Sequence, residues 1–285
     1  MERHVAQHGA NARDRFSQLP VEILDHIMGF LPIRQAAKVA VVSKVWRDVW
    51  SSLTLLCFDH GFFRVAGKKS SKEARKDINA RSRFHVITQI LLQHRGSIRK
   101  FVCFYALAMT EIVRFPSLDV DECSETGKFL PDNLDLKSIS TLDMDYYSLK
   151  DFVGQYTTKE PSLQMPALNV ELLKLLNFCS QDDDELISAF VCLLSNCPKL
   201  CNLEISLSWA GNINKCIDVT FGNLRKFRSV LRTHKRLLCL KLRSFRGLRP
   251  QMQFVKEMLA WLPALEKTIS AFPISFSFKG ANLRP

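Results

Sequence analysis

Five times between residues 98 and 242 an apolar residue is followed, three and then two positions later, by two more. The sets are Ile98, Phe101, Cys103; Ile139, Leu142, Met144; Leu173, Leu176, Phe178; Leu200, Leu203, Ile205; and Leu237, Leu240, Leu242. The last two members of each set alternate with another residue, so in a strand both point to one face. Amphipathic stretches precede several sets: FHVITQILLQH at 84–94, and ELISAFVCLLSNC at 185–197 before Pro198. A strand and a helix therefore alternate. No single unit of that size buries its apolar side alone, so the units must stack, which predicts a curved solenoid with a parallel sheet on its inner face. The sets start 27 to 41 residues apart, so the repeat is irregular.

Ahead of this region lies LPVEILDHIMGFLPIRQAAKVAVVSKVWRDVW, residues 19–50. Pro20 and Pro32 each suit the first turn of a helix, where a missing amide hydrogen costs nothing. Ile23, Leu24, Ile27 and Leu31 then form one apolar stripe over about three turns, with Gly29 near its end. A second helix is expected over about 34–42, and a third over about 43–51 with Ser43 as its N-cap. Trp46 and Trp50 fall one turn apart on the third. Three helices in about thirty-five residues cannot hide all of Leu19, Ile23 and Trp46 among themselves, so a partner should cover part of this surface.

The run DRFSQLP, the LPVEIL core, the second Leu-Pro, SKVWRDVW and LCFD together resemble the F-box, most closely its plant form. The resemblance implies a three-helix module whose residues Leu19, Pro20, Glu22, Ile23, Leu24, Ile27, Leu31, Pro32, Val42, Ser43 and Trp46 include those facing a Skp-type adaptor, with Ile27, Val42 and Trp50 open to a purely internal role. Gln35 and Ala36, where such sequences often carry a basic and apolar pair, and the apolar Val41 and Val42 depart from the pattern, and are expected to tune affinity. NCPKLCNLEISL, GLRPQMQFVKEMLAWLPALEKTIS and FHVITQILLQHRGSIRKFV are similar to segments of plant F-box proteins with leucine-rich repeats and a C-terminal FBD-type segment. This implies an α plus α/β chain: a tail at 1–14, the F-box at 15–60, a basic linker at 61–83, leucine-rich-repeat-like units at 84–245 and an FBD-like segment at 246–285. The stretch from Met109 to Met165 fits the repeats poorly. The function implied is that of a substrate receptor in an SCF-type ubiquitin ligase, joined through the adaptor to a cullin and holding an unidentified protein target.

Composition narrows the alternatives. With 47% hydrophobic and 24% charged residues the chain is expected to fold over most of its length. The first residues, MERHVAQHGANARDRF, lack the apolar core of a secretory signal, and no stretch reaches about 18 uninterrupted apolar residues, so an intracellular protein of the nucleus or cytoplasm is expected. The nine cysteines then read as reduced thiols, buried at Cys103, Cys192 and Cys239, rather than as a disulfide framework. Cys192, Cys197 and Cys201 lack the close pairing of a zinc knuckle. QDDDE at 181–185 reads as a helix start rather than a metal site, and HVAQH lacks the glutamate of a metalloprotease helix. No phosphate-binding glycine loop or nucleophile elbow is present, and catalysis and cofactors are not expected.

The net charge of +12 is concentrated. Ten lysines and arginines lie between Arg225 and Arg249, and no acidic residue occurs between Asp218 and Glu257. One reading is a solvated face. The sharper one is a site for an acidic or phosphorylated substrate segment at Lys241, Arg243 and Arg246, with Lys241 and Arg243 projecting opposite the buried Leu240 and Leu242. A nucleic-acid site over 225–249 is an alternative that sparse aromatic residues disfavour, and a receptor that binds the adaptor without any substrate is another.

Overall fold

The computed structural model describes residues 19–63, 85–104, 135–157, 165–178, 184–207, 222–245, 247, 249–262 and 264–271 of the 285. The tail at 1–14, nearly all of the basic linker, Arg246, residues 181–183 of QDDDE and the last fourteen residues lie outside them.

Three helices open the chain: α1 (Val21–Gly29), α2 (Ile33–Ala40) and α3 (Lys44–Ser51). Pro20 and Pro32 sit one step ahead of the expected first turn, as N-caps in extended backbone. Each contributes its carbonyl instead of a side chain: that of Pro20 accepts from the amides of Ile23 and Leu24, and that of Pro32 from Gln35 and Ala36. Ser43 caps α3 as expected, its hydroxyl accepting from the Trp46 amide at 3.4 Å. Leu24 and Met28 of α1, Ile33, Ala36 and Ala40 of α2, and Trp46 and Val49 of α3 bury together.

Strand β1 (Leu55–Phe58) follows at once, then the short helix α4 (His60–Phe63) and a helix over 85–93, α5. After them come β2 (Lys100–Cys103), a 3-10 turn at Leu136–Ser138, β3 (Thr141–Asp145), α6 (Tyr146–Thr157), β4 (Leu172–Phe178), α7 (Asp184–Ser195), β5 (Asn202–Leu207), α8 (Gly222–Thr233), β6 (Cys239–Arg243), α9 (Arg249–Trp261) and β7 (Lys267–Ala271). The seven strands form one parallel sheet in chain order. Such order requires each connection to climb one strand spacing and return on the same side, and α6, α7, α8 and α9 pack neighbour on neighbour beside the sheet. Asp184 begins α7, so the acidic run leads into a helix there.

Register shows how the core is built. Leu56, Phe101, Leu142, Leu173, Leu203 and Leu240 stand in one row, and Phe58, Cys103, Met144, Leu175, Ile205 and Leu242 in a second. Before each strand Leu53, Ile98, Ile139, Val170, Leu200 and Leu237 hold the same offset, and none of these eighteen side chains is more than 2% exposed. One expectation is corrected and one further set is found. The set in β4 is Val170, Leu173, Leu175 and not Leu173, Leu176, Phe178, because Leu172 to Leu176 offers leucines to both faces and only pairing with β3 and β5 selects one. A further set, Leu53, Leu56 and Phe58, lies at the end of the helical module and supplies the sheet's first strand.

Backbone bonds carry one strand to the next. Thr54, Arg99, Ser140, Glu171, Cys201 and Leu238, each in the step before its own strand, offer carbonyls to the amides of Lys100, Thr141, Leu172, Asn202, Cys239 and Glu266 in the next step.

The cysteines among the described residues are free thiols. Cys103 is buried, whereas Cys192 and Cys239 are only half-buried, a correction to their expected burial. Burial pushes the Cys57 thiol up to about 11 and that of Cys197 to about 12, and raises Cys103 further, so these thiols stay protonated at neutral pH.

The register makes a direct prediction. Leu173→Ala removes a side chain from the middle of the core and should cost about 2–5 kcal/mol of unfolding free energy, whereas Leu176→Ala, at a half-buried position, should cost clearly less. Denaturant unfolding of the two variants checks it, and equal losses would restore the slipped register.

Candidate functional site

The helical module presents large apolar side chains to solvent. Ile23, His26 and Phe30 follow one another at spacings of three and four along α1 and its C-cap, and all three are exposed. The Phe30 ring is 76% exposed and rests edge-on against the His26 imidazole, centroids 4.7 Å apart. In the turn after α2, Val41 and Val42 are 76% and 77% exposed. With Val21, these make five of the ten exposed large apolar residues among the described ones fall within residues 21–42. Covering a valine, isoleucine or phenylalanine that now meets water is worth roughly 1.5–3 kcal/mol each, so this surface favours a partner.

The frame behind it is fixed. The Asp25 carboxylate accepts from the Thr54 amide at 2.9 Å and from its hydroxyl at 2.6 Å, tying α1 to the start of β1. The Arg34 guanidinium donates to the Phe62 carbonyl at 2.8 Å and lies 5.4 Å from the centre of that ring, tying α2 to α4.

The eleven residues singled out in the sequence divide by exposure. Pro20, Glu22, Ile23, Pro32 and Val42 face solvent. Leu19, Ile27 and Leu31 are half-buried against the core, and Ser43 is occupied as a cap. Leu24, 1% exposed, and Trp46, 8% exposed, are interior, because they lie on the sides of α1 and α3 that meet α2 and each other. In this fold they hold the presenting helices in place and are not available for contact. Val21, Phe30 and Val41 are exposed as well and were not singled out in the sequence. Local context did not mark them, since Ile33 beside Pro32 and Met28 beside Gly29 are buried.

On the opposite end of the chain Lys241 and Arg243 do project from β6, away from Leu240 and Leu242. Neither charge is free. Glu204 of β5 is ion-paired with Arg243, and with the Lys241 ammonium at 3.6 Å. The sequence run without acids thus acquires one through strand pairing. Across the sheet Asp143, Lys174, Glu204 and Lys241 stand in one register row of alternating sign. Asp143 is nearly buried, one of its carboxylate oxygens has no hydrogen-bond partner, and burial raises its pKa to about 6 against the pull of Lys174 and Lys100.

No group of three or more potential metal ligands occurs among the described residues, and no described helix is long and apolar enough to cross a membrane.

A family model for the F-box domain matches residues 16–58, the segment from just before α1 to the end of β1. The chain carries an F-box domain. Along most of its length it is similar to F-box/LRR-repeat proteins of Arabidopsis thaliana, one at 31% identity over 70% of the chain and 38% of the relative, another at 26% over 70% and 51%. An F-box/FBD/LRR-repeat protein of the same plant is 36% identical over 31% of the chain and 20% of its own length. The chain thus spans about half or less of these curated relatives. The match ends with β1, so the last residues of the F-box are also the first strand of the sheet.

Asp143 gives a testable pH dependence. Its folded pKa lies above the ordinary carboxylate value, so above about pH 6 the charged form detracts from stability, and the loss disappears as pH falls towards 4. Asp143→Asn should therefore raise the unfolding temperature at pH 7.5, and by progressively less down to pH 4. Thermal unfolding across that range checks it.

Proposed function

We propose that this F-box protein is the substrate-receptor subunit of an SCF-type ubiquitin ligase. The exposed apolar surface of α1 and the turn after α2 docks a Skp-type adaptor, and the adaptor links it to a cullin. The observation that carries this reading is the concentration of exposed Ile23, Phe30, Val41 and Val42 on a module whose interior is already filled. The nearly unexposed Leu24, Met28 and Val49 mean that the helices need no partner to complete their core, so the outward residues are free to serve recognition.

The strands and helices that follow are read as a leucine-rich-repeat solenoid that holds a protein target. In support, the three-residue apolar set recurs in register from β1 to β6, and the relatives' names carry the same repeat. The segment with α9 and β7 is read as FBD-like, in keeping with the relative whose name includes that term. The chain itself performs no bond chemistry in this account. Holding a target beside a ubiquitin-charged enzyme raises the effective concentration of its lysines, and that proximity is the whole contribution. The complex would work in the nucleus, the cytoplasm or both.

Replacing Ile23 and Val42 together with glutamate should weaken capture of a Skp-type adaptor by at least tenfold, equivalent to about 1.4 kcal/mol or more, while leaving thermal unfolding close to that of the parent. Pull-down and calorimetry with purified adaptor read the effect. Full adaptor binding by the folded double variant would remove the basis of the proposal.

A further inference from the structure

Leu136, Cys197 and His234 hold one place in three of the strand-and-helix units, three residues ahead of Ile139, Leu200 and Leu237. In each unit the amide of the later residue donates to the carbonyl of the earlier one, at 3.3, 3.2 and 3.4 Å. In each, the earlier side chain is turned into the core, 6%, 0% and 5% exposed. A place filled by leucine in one unit and by a neutral thiol in another thus holds an imidazole just after α8. Its Nε2 is buried without a hydrogen-bond partner. Burial holds the pKa of the ring below the ordinary 6.5, against a smaller upward pull from the backbone of Leu194, across the seam in α7.

The surroundings do not accommodate a positive charge. α7 presents the Cys192 and Cys197 thiols, both kept neutral by burial, and exposed Lys199 follows it. The strand side offers Leu200, Leu203, Leu237 and Leu240. α8 and the turn after it carry Arg232, Lys235 and Arg236, which are exposed and of the same sign as an imidazolium. α9, with Glu257 one turn before Trp261, meets α8 on the flank away from α7, where Arg228 and Arg232 stack on that indole. His94 provides the contrast. Its Nε2 is also buried without a partner, but its ring is only half-buried and Asp25 of α1 attracts a proton to it.

We infer that His234 is an acid-operated latch between α7 and α8: when its ring takes up a proton it leaves the seam, and the unit formed by α8 and β6 opens. This rests on the fold alone and does not depend on the ligase reading. Because the seated ring holds a proton less tightly than the released one, the seam is intact above about pH 6.5 and loses stability as the pH falls below that value. The sense is opposite to that of Asp143, whose effect on stability improves in acid, so a pH series separates the two.

The test is amide hydrogen exchange on the full chain, corrected for the pH dependence of intrinsic exchange. For one titrating ring, opening of α7 and α8 should rise about three- to tenfold between pH 7.5 and pH 5.5, with a smaller change in β1 to β3. His234→Gln, polar but without a titration in this range, should flatten that response. His234→Leu, which follows the example of Leu136, should do the same and keeps the test open if the glutamine variant folds poorly. His94→Gln and Glu257→Gln should respond as the parent does. A parent whose α7 and α8 open equally at the two pH values overturns the latch, and so does a glutamine or leucine variant that keeps the full response. A proton NMR titration in which the His234 ring of the folded chain takes up its proton at or above about pH 6.5 overturns it independently of any variant.

Discussion

The junction between the helical module and the sheet is where the structure is least forgiving. Arg95 donates its amide to the Ser51 carbonyl at 2.7 Å, and Arg99 donates to that of Thr54 at 2.8 Å, while Asp25 reaches across from α1 to bind Thr54. Between them Gly96 passes so close that a Cβ there would lie 2.8 Å from the Ser52 backbone. Only a residue without a side chain permits that approach. The last turn of the F-box, the first strand and the turn before the second strand are thereby locked together. A docking module and a repeat array are often pictured as separate bodies on a linker. Here Leu53, Leu56 and Phe58 belong both to the core of the helical module and to the sheet, so α1 is held in a fixed relation to β1 and β2.

Charge is organised by pairing across strands, not by sequence. A run with ten positive charges and no acid looks uniform when read along the chain, yet the sheet divides it. On β6 the basic side chains meet Glu204, thirty-seven residues before Lys241, and the alternating row that includes Asp143 and Lys174 is close to self-neutral. On α8 Arg228 and Arg232 stack on the Trp261 indole instead.

Much of this was legible in advance. The recurring apolar set fixed the alternation of strand and helix, because its offset of three and two is incompatible with one continuous helix, and Ser43 marked the start of α3. The register of β4 was not legible, since Leu172, Leu173, Leu175 and Leu176 satisfy either face and the choice is made by neighbouring strands. Strand β7 was hidden because Thr268 and Ser270 stand where the other strands carry apolar residues. Within the F-box the sequence did not sort the apolar residues into inward and outward ones. In so small a bundle Leu24 and Ile23 differ by one residue and by opposite environments, and only the packing of three helices decides which is inside.

Amide hydrogen exchange on the intact chain, with and without a Skp-type adaptor, tests the central claim that docking uses the outer surface of the F-box. Protection should rise in α1 and in the turn through Val41 and Val42, while β3 to β7 exchange as before. Added protection across β3 to β7, with α1 and that turn unchanged, would contradict the account.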